Sequence, residues 1–232
     1  MNIQRIMAIF EKDIKDFMKN MMIAFMPVVP IILAFLYSQM GVEGEEIPLF
    51  IIYLVVGVTL TTVLSGCMMM MMAEEKEKKT LRGLTLSPAS FGDIIIGKSL
   101  VAVLLTVITL VISLALVGFE PFSNVRAFIG LVLMFPFFLL IGIGIGFFVN
   151  TVGAASAYLM PVMFIFGFTP MIELFQLSET SLALKIADKF PIPQMLAIHD
   201  TKSWLPLGIL LLWVIGAAVF TYICFINTKK DD

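Results

Sequence analysis

Charged residues, cysteines and histidines are all scarce in this chain, and each scarcity narrows the class of protein. Only 14% of the 232 residues are charged and 60% are hydrophobic, whereas a soluble domain is about 45 to 50% apolar. Cys67 and Cys224 both fall in apolar runs, where a reduced thiol behaves as a small hydrophobe. The composition therefore predicts a membrane protein with neither a disulfide framework nor a cysteine metal site.

Six apolar segments can be marked, and about twenty apolar residues are enough to cross a bilayer as a helix. The segments are 21–39, 49–72, 99–117, 127–149, 155–172 and 204–226. Six spans place both chain ends on the same side of the membrane. A five-span alternative stays open, because Pro161, Gly167 and Pro170 interrupt the fifth segment and would suit a re-entrant element.

Lysine and arginine are distributed unequally between the two sides of this topology. Eleven fall in the N-terminal segment, the loop after the second span and the C-terminal tail, namely Arg5, Lys12, Lys15, Lys19, Lys76, Lys78, Lys79, Arg82, Lys98, Lys229 and Lys230. The opposite side has four, namely Arg126, Lys185, Lys189 and Lys202. Positive residues concentrate on the cytoplasmic side. We therefore expect a multi-pass protein of a bacterial cell membrane with both termini cytoplasmic.

Residues 1–20 predict an amphipathic helix ahead of the first span. Apolar residues, among them Ile6, Phe10, Ile14 and Phe17, recur at intervals of three and four with charges between them. The charge content is too high for insertion, so we expect this helix to lie in the membrane interface. A helix packed on another subunit is the alternative.

Residues 173–203 alternate apolar residues with prolines and charges. This pattern predicts short external helices between spans five and six. They would form either an exit gate or packing for the span ends, and the sequence does not choose between the two.

The charged segment 74–90, EEKEKKTLRGLTLSPAS, lies between two apolar runs. Leu81 and Leu84 fall on one helical face and Pro88 ends the helix, which suits docking into a polar groove of a soluble partner. We expect charges such as Glu75 and Lys76 to be merely solvated.

Gly92 to Ser99 matches the G-x-x-x-x-G-K-S pattern of a phosphate-binding loop. Such a loop follows a buried strand and opens a helix inside an α/β domain. Here no strand precedes the segment and a membrane span follows it, so we interpret the match as coincidence. Lys98 is then expected to anchor the end of the span in water. None of the six spans contains an Asp, Glu, Lys, Arg or His in its interior, although ion-coupled transporters usually need such a group. An energy source outside the membrane domain is therefore favoured.

A translocation route is predicted along spans two and five. Thr59, Thr62 and Gly66 share one helical face, and Phe164 and Phe168 lie in the fifth segment. Such a lining suits amphipathic cargo, but ordinary contact between helices explains it equally.

The run Met68 to Met72 is predicted to be flexible apolar filling. Five consecutive methionines project all round a helix, so they cannot converge on one soft metal ion, and no metal site is expected. His199 is interpreted as a solvated surface residue without a role.

The order of these features resembles the permease family of type-2 ABC (ATP-binding cassette) exporters. Its strongest part is 74–98, where family members carry charged residues, Thr-Leu-Glu-x-Leu, Ser or Thr followed by Pro, and then Gly-Lys. The matching residues are Glu74, Glu75, Lys79, Thr80, Leu81, Leu84, Ser87, Pro88, Gly97 and Lys98. Arg82 departs from the usual acidic residue.

The resemblance implies half of a transporter, paired with a second permease copy or a paralogue and bound to a separate cytosolic ATPase that holds ATP and Mg. It makes 74–90 the coupling helix. The residues expected to couple to the ATPase are Glu74, Glu75, Lys79, Thr80, Leu81, Arg82, Leu84 and Leu86.

The sequence thus predicts one all-α integral membrane domain over 1–232, with six transmembrane helices behind an interfacial helix. It is expected to be a permease subunit, not an enzyme, with no cofactor of its own and no nucleic-acid partner. A short amphipathic peptide, such as a toxin or bacteriocin, is the first choice of cargo, with hydrophobic drugs, lipid-linked glycans and sodium as alternatives. A non-transporting membrane scaffold or immunity protein is the competing class, and it needs no ATPase.

Overall fold

The computed structural model describes residues 2–40, 47–78, 90–175 and 181–231, and every regular element in these ranges is helical. The helices are α1 Ile3–Lys19, α2 Met21–Ala24, α3 Val28–Met40, α4 Leu49–Glu77, α5 Phe91–Val117, α6 Val125–Phe148, α7 Val152–Gly167, α8 Leu182–Ala187, α9 Pro191–Asp200 and α10 Leu205–Asp231. Two short 3₁₀ segments, Glu120–Ser123 and Thr169–Phe175, join them.

Four of these helices are long and apolar enough to cross a membrane, namely α4, α5, α6 and α10. The apolar helices α3 and α7 are shorter. The 13 residues of α3 rise about 20 Å, which is less than the roughly 30 Å of a hydrocarbon core. The helical, multi-pass character is therefore confirmed, and the count of six spans stays a prediction.

Helix α4 forms the centre of the bundle. Its most apolar 18-residue window is 83% buried, against 44% for α5 and α6 and 11% for α10. Helices α3, α5, α6 and α7 surround it. This central position agrees with the apolar residues on all sides of its membrane segment, since a helix that is apolar all round is a buried one. The side chains of Met68 to Met72 are all buried, as the interpretation of apolar filling requires.

Glycines let neighbouring helices approach α4 closely. A Cβ atom on Gly142 of α6 would lie 2.7 Å from the Ser65 carbonyl oxygen, and one on Gly57 would lie 2.7 Å from the Gly167 carbonyl oxygen. Gly146 meets Met72 in the same way, at 2.8 Å from its Sδ. Gly142 and Gly146 are four residues apart on α6, a spacing that allows two helices to pack closely.

Two stretches of wider π-helix interrupt the central helices. One is Leu60–Gly66 in α4, and the other is Met163–Gly167 in α7, directly after Pro161. Proline has no N–H to donate, so the backbone hydrogen-bond pattern of helix α7 changes close to Pro161. Gly167 then ends the helix, and Pro170 falls in the following 3₁₀ segment.

Both chain ends lie at the same end of the bundle, which we call the charged end. Helix α1 contacts α5 there, and near the C-terminus Thr228 Oγ1 donates to the Phe147 carbonyl oxygen at 3.0 Å. Helices α8 and α9 lie at the opposite end and are the short helices predicted within 173–203.

Candidate coupling site at the charged end

Helix α1 packs on the first turns of α5 through one apolar stripe. The Asn2 side chain accepts a hydrogen bond from the Gln4 N–H and so caps the helix. Ile6, Ile9 and Asp13 are the buried residues of α1, and their spacing of three and four places them on one face. A Cβ on Gly97 of α5 would lie 2.7 Å from Ile9 Cγ2, so glycine permits this contact.

Four charged side chains meet where α1, α4 and α5 converge. Lys98 Nζ lies 3.0 Å from Asp13 Oδ2 and 2.9 Å from Glu75 Oε1. Lys12 Nζ lies 2.7 Å from the same Glu75 oxygen and 3.5 Å from Asp13 Oδ1. We call Lys12, Asp13, Glu75 and Lys98 the ion cluster.

The ion cluster is buried, and its charges balance. The side chains of Lys98, Asp13 and Glu75 are only 3%, 4% and 5% exposed. The Lys12 side chain is 43% exposed and covers the cluster on its solvent side. Burial alone would lower the pKa of Lys12, but its hydrogen bond to Glu75 and the nearby carboxylates outweigh that effect and raise the pKa. Two ammonium groups therefore neutralise two carboxylates.

Such a cluster fixes geometry more than it adds net stability. Desolvating the four charges offsets much of their mutual attraction. Removing one member, in contrast, leaves a buried charge uncompensated, which costs about 3 to 5 kcal/mol. The cluster therefore holds α1, α4 and α5 in one relative position.

Three expectations about these charges were wrong. Lys98 does not anchor a span end in water, Glu75 is not solvated, and Lys76 is bonded to another span. The physical reason for the first two is the same: α1 folds back over the mouth of α5 and covers them. Asp13 and Lys12, which the sequence reasoning missed, provide the partners.

One signal in the sequence pointed to Asp13. It occupies a position of the apolar stripe of residues 1–20, three or four residues from Ile9, Phe10 and Phe17. A carboxylate in the buried stripe of an amphipathic helix needs a cationic partner. That partner, Lys98, is 85 residues away in sequence.

The last turn of α4 also bonds to α6 and α7. Lys76 Nζ donates to the Phe147 carbonyl oxygen at the end of α6. Glu77 Oε2 accepts from the Val152 N–H at the start of α7, at 2.8 Å. A carboxylate at a helix N-terminus compensates a free N–H and the helix dipole.

Glu74 connects the same turn to the junction of α1 and α2. Its Oε2 accepts from Asn20 Nδ2 at 3.1 Å, and its other oxygen bonds the Lys78 ammonium group. Glu74, Glu75, Lys76 and Glu77 thus contact α1, the α1–α2 junction, α5, α6 and α7. We call these four consecutive residues the charged hub.

The phosphate-loop pattern is helical in the structure. Ser90 caps α5 in a capping box with Asp93, and Gly92 to Ser99 lie in the first turns of that helix. The lysine of the pattern, Lys98, points into the ion cluster.

Most of the predicted coupling residues lie outside the described residues. These are Lys79, Thr80, Leu81, Arg82, Leu84 and Leu86, and their contact with an ATPase stays a prediction. Glu74 and Glu75 are described and belong to the charged hub. The hub lies just before residues 79–86, which include the other six.

The residues of the predicted route face different surroundings. The Thr59 and Thr62 hydroxyls are buried and donate to carbonyl oxygens of their own helix at 2.7 Å, and Gly66 contacts Leu159 and Met26. Phe164 is 63% exposed, and its ring centroid lies 5.6 Å from that of Phe168. The first three residues are buried inside one chain, whereas Phe164 is exposed and Phe168 is half-buried, so the route stays a prediction.

This architecture, an all-helical bundle with four long apolar spans and a buried ion cluster at one end, is that of a membrane-embedded domain. The family model of the ABC-2 type transporter matches residues 4–172. Because the match covers most of the chain, the protein belongs to the ABC-2 type transporter family and is a permease component. A search of curated proteins finds no match.

Proposed function

We propose that this chain is the membrane subunit of an ATP-driven exporter and that the charged hub transmits the work of a separate ATPase to the spans. The observation that carries this proposal is the position of the hub. Four consecutive residues just before the loop at 79–89 bond to α1, α5, α6, α7 and the start of the first span.

Helix α4 would provide the mechanical connection between the ATPase and the bundle. It runs for 29 residues through the centre of the bundle, and its end continues into the proposed coupling loop. A displacement of that loop by the ATPase would move the last turn of α4 directly. The ion cluster and the hub would pass the displacement on to α1, α5, α6 and α7, because buried ionic contacts hold their geometry.

Helix α1 would lie at the cytoplasmic face of the membrane. Beside its buried stripe it has an exposed apolar one, in which Ile3 is 79%, Met7 45% and Met18 76% exposed. Lys15 and Lys19 lie on the remaining polar surface. Two adjacent apolar stripes suit a helix that packs on protein with one and on lipid with the other.

The assembly we propose contains two permease subunits and two ATPases, with ATP and Mg bound only by the ATPases. Both termini and the charged hub would face the cytoplasm. A short amphipathic peptide is the proposed cargo, supported by the apolar lining that Phe164 and Phe168 offer. Drugs, lipid-linked glycans and sodium are the alternatives that a transport assay separates.

The test is transport by the purified pair. The permease would be co-expressed with a candidate ABC ATPase, sought first among the neighbouring genes, then reconstituted into vesicles and supplied with ATP on the ATPase side. We expect ATP-dependent movement of labelled peptide, and none with an ATPase that lacks its catalytic glutamate. If no ATPase co-purifies and no cargo class moves, the non-transporting scaffold replaces this proposal.

A further inference from the structure

The only histidine of the chain ties an extramembrane helix to the central span. Tyr53 Oη and His199 Nε2 lie 2.7 Å apart. The Tyr53 side chain is fully buried near the start of α4, and its ring packs against His199 and Phe122, with centroids 5.7 and 5.6 Å away. His199 lies one residue before the end of α9 and is partly buried.

Among the residues that the structure describes, the other contacts that hold α9 do not titrate near neutral pH. Ile192 and Ile198 are buried against the spans, and Arg126 of α6 donates to the carbonyl oxygens of Thr201 and Ser203, just after α9. The Tyr53–His199 bond is thus the contact of α9 that a change of pH between five and eight would alter.

The protonation state of His199 decides whether both groups are satisfied. With a neutral ring, the Tyr53 hydroxyl donates and Nε2 accepts. A protonated ring has only donors, so Tyr53 has to accept, and its own O–H is left without an acceptor in a buried site. An unsatisfied buried donor is unfavourable, so protonation weakens the tie.

The charged surroundings do not reverse this preference. The ionisable residues on the elements around His199 are Tyr53, Glu120, Arg126, Glu173, Asp188, Lys189 and Asp200. Burial lowers the pKa of His199, and the Arg126 guanidinium lowers it further, while Asp200 acts in the opposite direction. A histidine whose pKa is lower in the folded state stabilises that state above its unfolded value of about 6.5, and the contribution is lost as the pH falls.

We propose that the Tyr53–His199 hydrogen bond is a proton-sensitive tie, which holds α9 against α4 when His199 is neutral and loosens when it is protonated. Tyr53 and Glu75 belong to the same continuous helix, and at 1.5 Å per residue they are roughly 33 Å apart. Under the proposed function, α9 lies on the external side, so the pH outside would bias the same helix that the charged hub holds inside.

Hydrogen exchange of the purified chain tests the tie without an ATPase or cargo. The wild type and His199→Gln would be compared at the same pH, so that intrinsic exchange rates cancel, with a purification tag that contains no histidine. Glutamine keeps a hydrogen-bonding group near Nε2 and never becomes charged. At about pH 7.5 we expect equal protection of α9. On acidification below about pH 6.5, the wild type should exchange faster by up to about tenfold per pH unit until the folded-state pKa is passed.

Tyr53→Phe provides the matched control, because it removes the buried hydroxyl and leaves the rings in place. In this variant, α9 should exchange faster at neutral pH, and its difference from Tyr53→Phe/His199→Gln should grow less with acid than the difference between the wild type and His199→Gln, because burial and Arg126 still lower the pKa of His199. Equal exchange of the wild type and His199→Gln at about pH 5.5 would overturn the tie. So would an acid dependence in Tyr53→Phe that is as large as in the wild type. Both outcomes are independent of whether the protein transports anything.

Discussion

Replacement of Lys98 by methionine isolates one ammonium group of the ion cluster. Methionine keeps a similar length and is apolar, so the first turns of α5 stay filled. Asp13 and Glu75 then remain buried with Lys12 as their shared cation, at 3.5 and 2.7 Å. Breaking a buried ion pair from one side costs about 3 to 5 kcal/mol. For a chain of this size that corresponds to a fall in Tm of roughly 6 to 20 °C.

The assay is thermal unfolding of the purified permease in detergent. Lys78→Met is the matched control, since it removes the same charge from an exposed pair with Glu74 in which Lys78 is 64% exposed. Such a pair contributes less than about 1 kcal/mol. The triple variant Asp13→Asn, Glu75→Gln, Lys98→Met should recover most of the loss, because it also removes the two buried carboxylates that Lys98→Met leaves with Lys12 as their shared cation.

Two results would refute this reasoning. One is a Tm of Lys98→Met as close to wild type as that of Lys78→Met, which would mean that the cluster is solvated. The other is a triple variant that is no more stable than Lys98→Met. In that case the loss would come from packing of the lysine stem and not from uncompensated carboxylates.

Two further predictions concern packing and topology. Gly142→Ala should destabilise the bundle by about 1 to 3 kcal/mol through overpacking, because its Cβ would lie 2.7 Å from the Ser65 carbonyl oxygen. Gly216→Ala is the control, since a Cβ there meets nothing within 4 Å. Equal thermal unfolding of the two variants would contradict the close approach of α4 and α6. In intact cells, an impermeant thiol reagent should label a cysteine at position 185 and not one at position 78, in a background with Cys67 and Cys224 replaced. Labelling at position 78 would invert or break the proposed topology.

The general architecture followed from the sequence because it depends on local properties. Long apolar runs predict membrane helices whatever their neighbours are. The amphipathic pattern of residues 1–20 predicted α1 in the same way. The family resemblance over 74–98 rested on order and composition, which require no knowledge of contacts.

The ion cluster could not be predicted as readily, because its members are far apart in the chain. Glu75 and Lys98 look like solvated charges at span ends until α1 is folded over them. Their burial depends on the direction of α1 relative to the helices that follow it, and no local sequence pattern determines that direction. His199 was misjudged for the same reason, since its partner Tyr53 lies 146 residues away.

The coupling of ATP hydrolysis to export tests the central claim most directly. The measurement is the amount of cargo moved per ATP hydrolysed in vesicles that contain the permease and its ATPase. We expect Leu81→Asp with Leu84→Asp to release the ATPase or to uncouple hydrolysis from export. The triple ion-cluster variant should keep the ATPase bound but lower the ratio. An unchanged ratio in both variants would contradict the claim that the loop and the charged hub transmit the work.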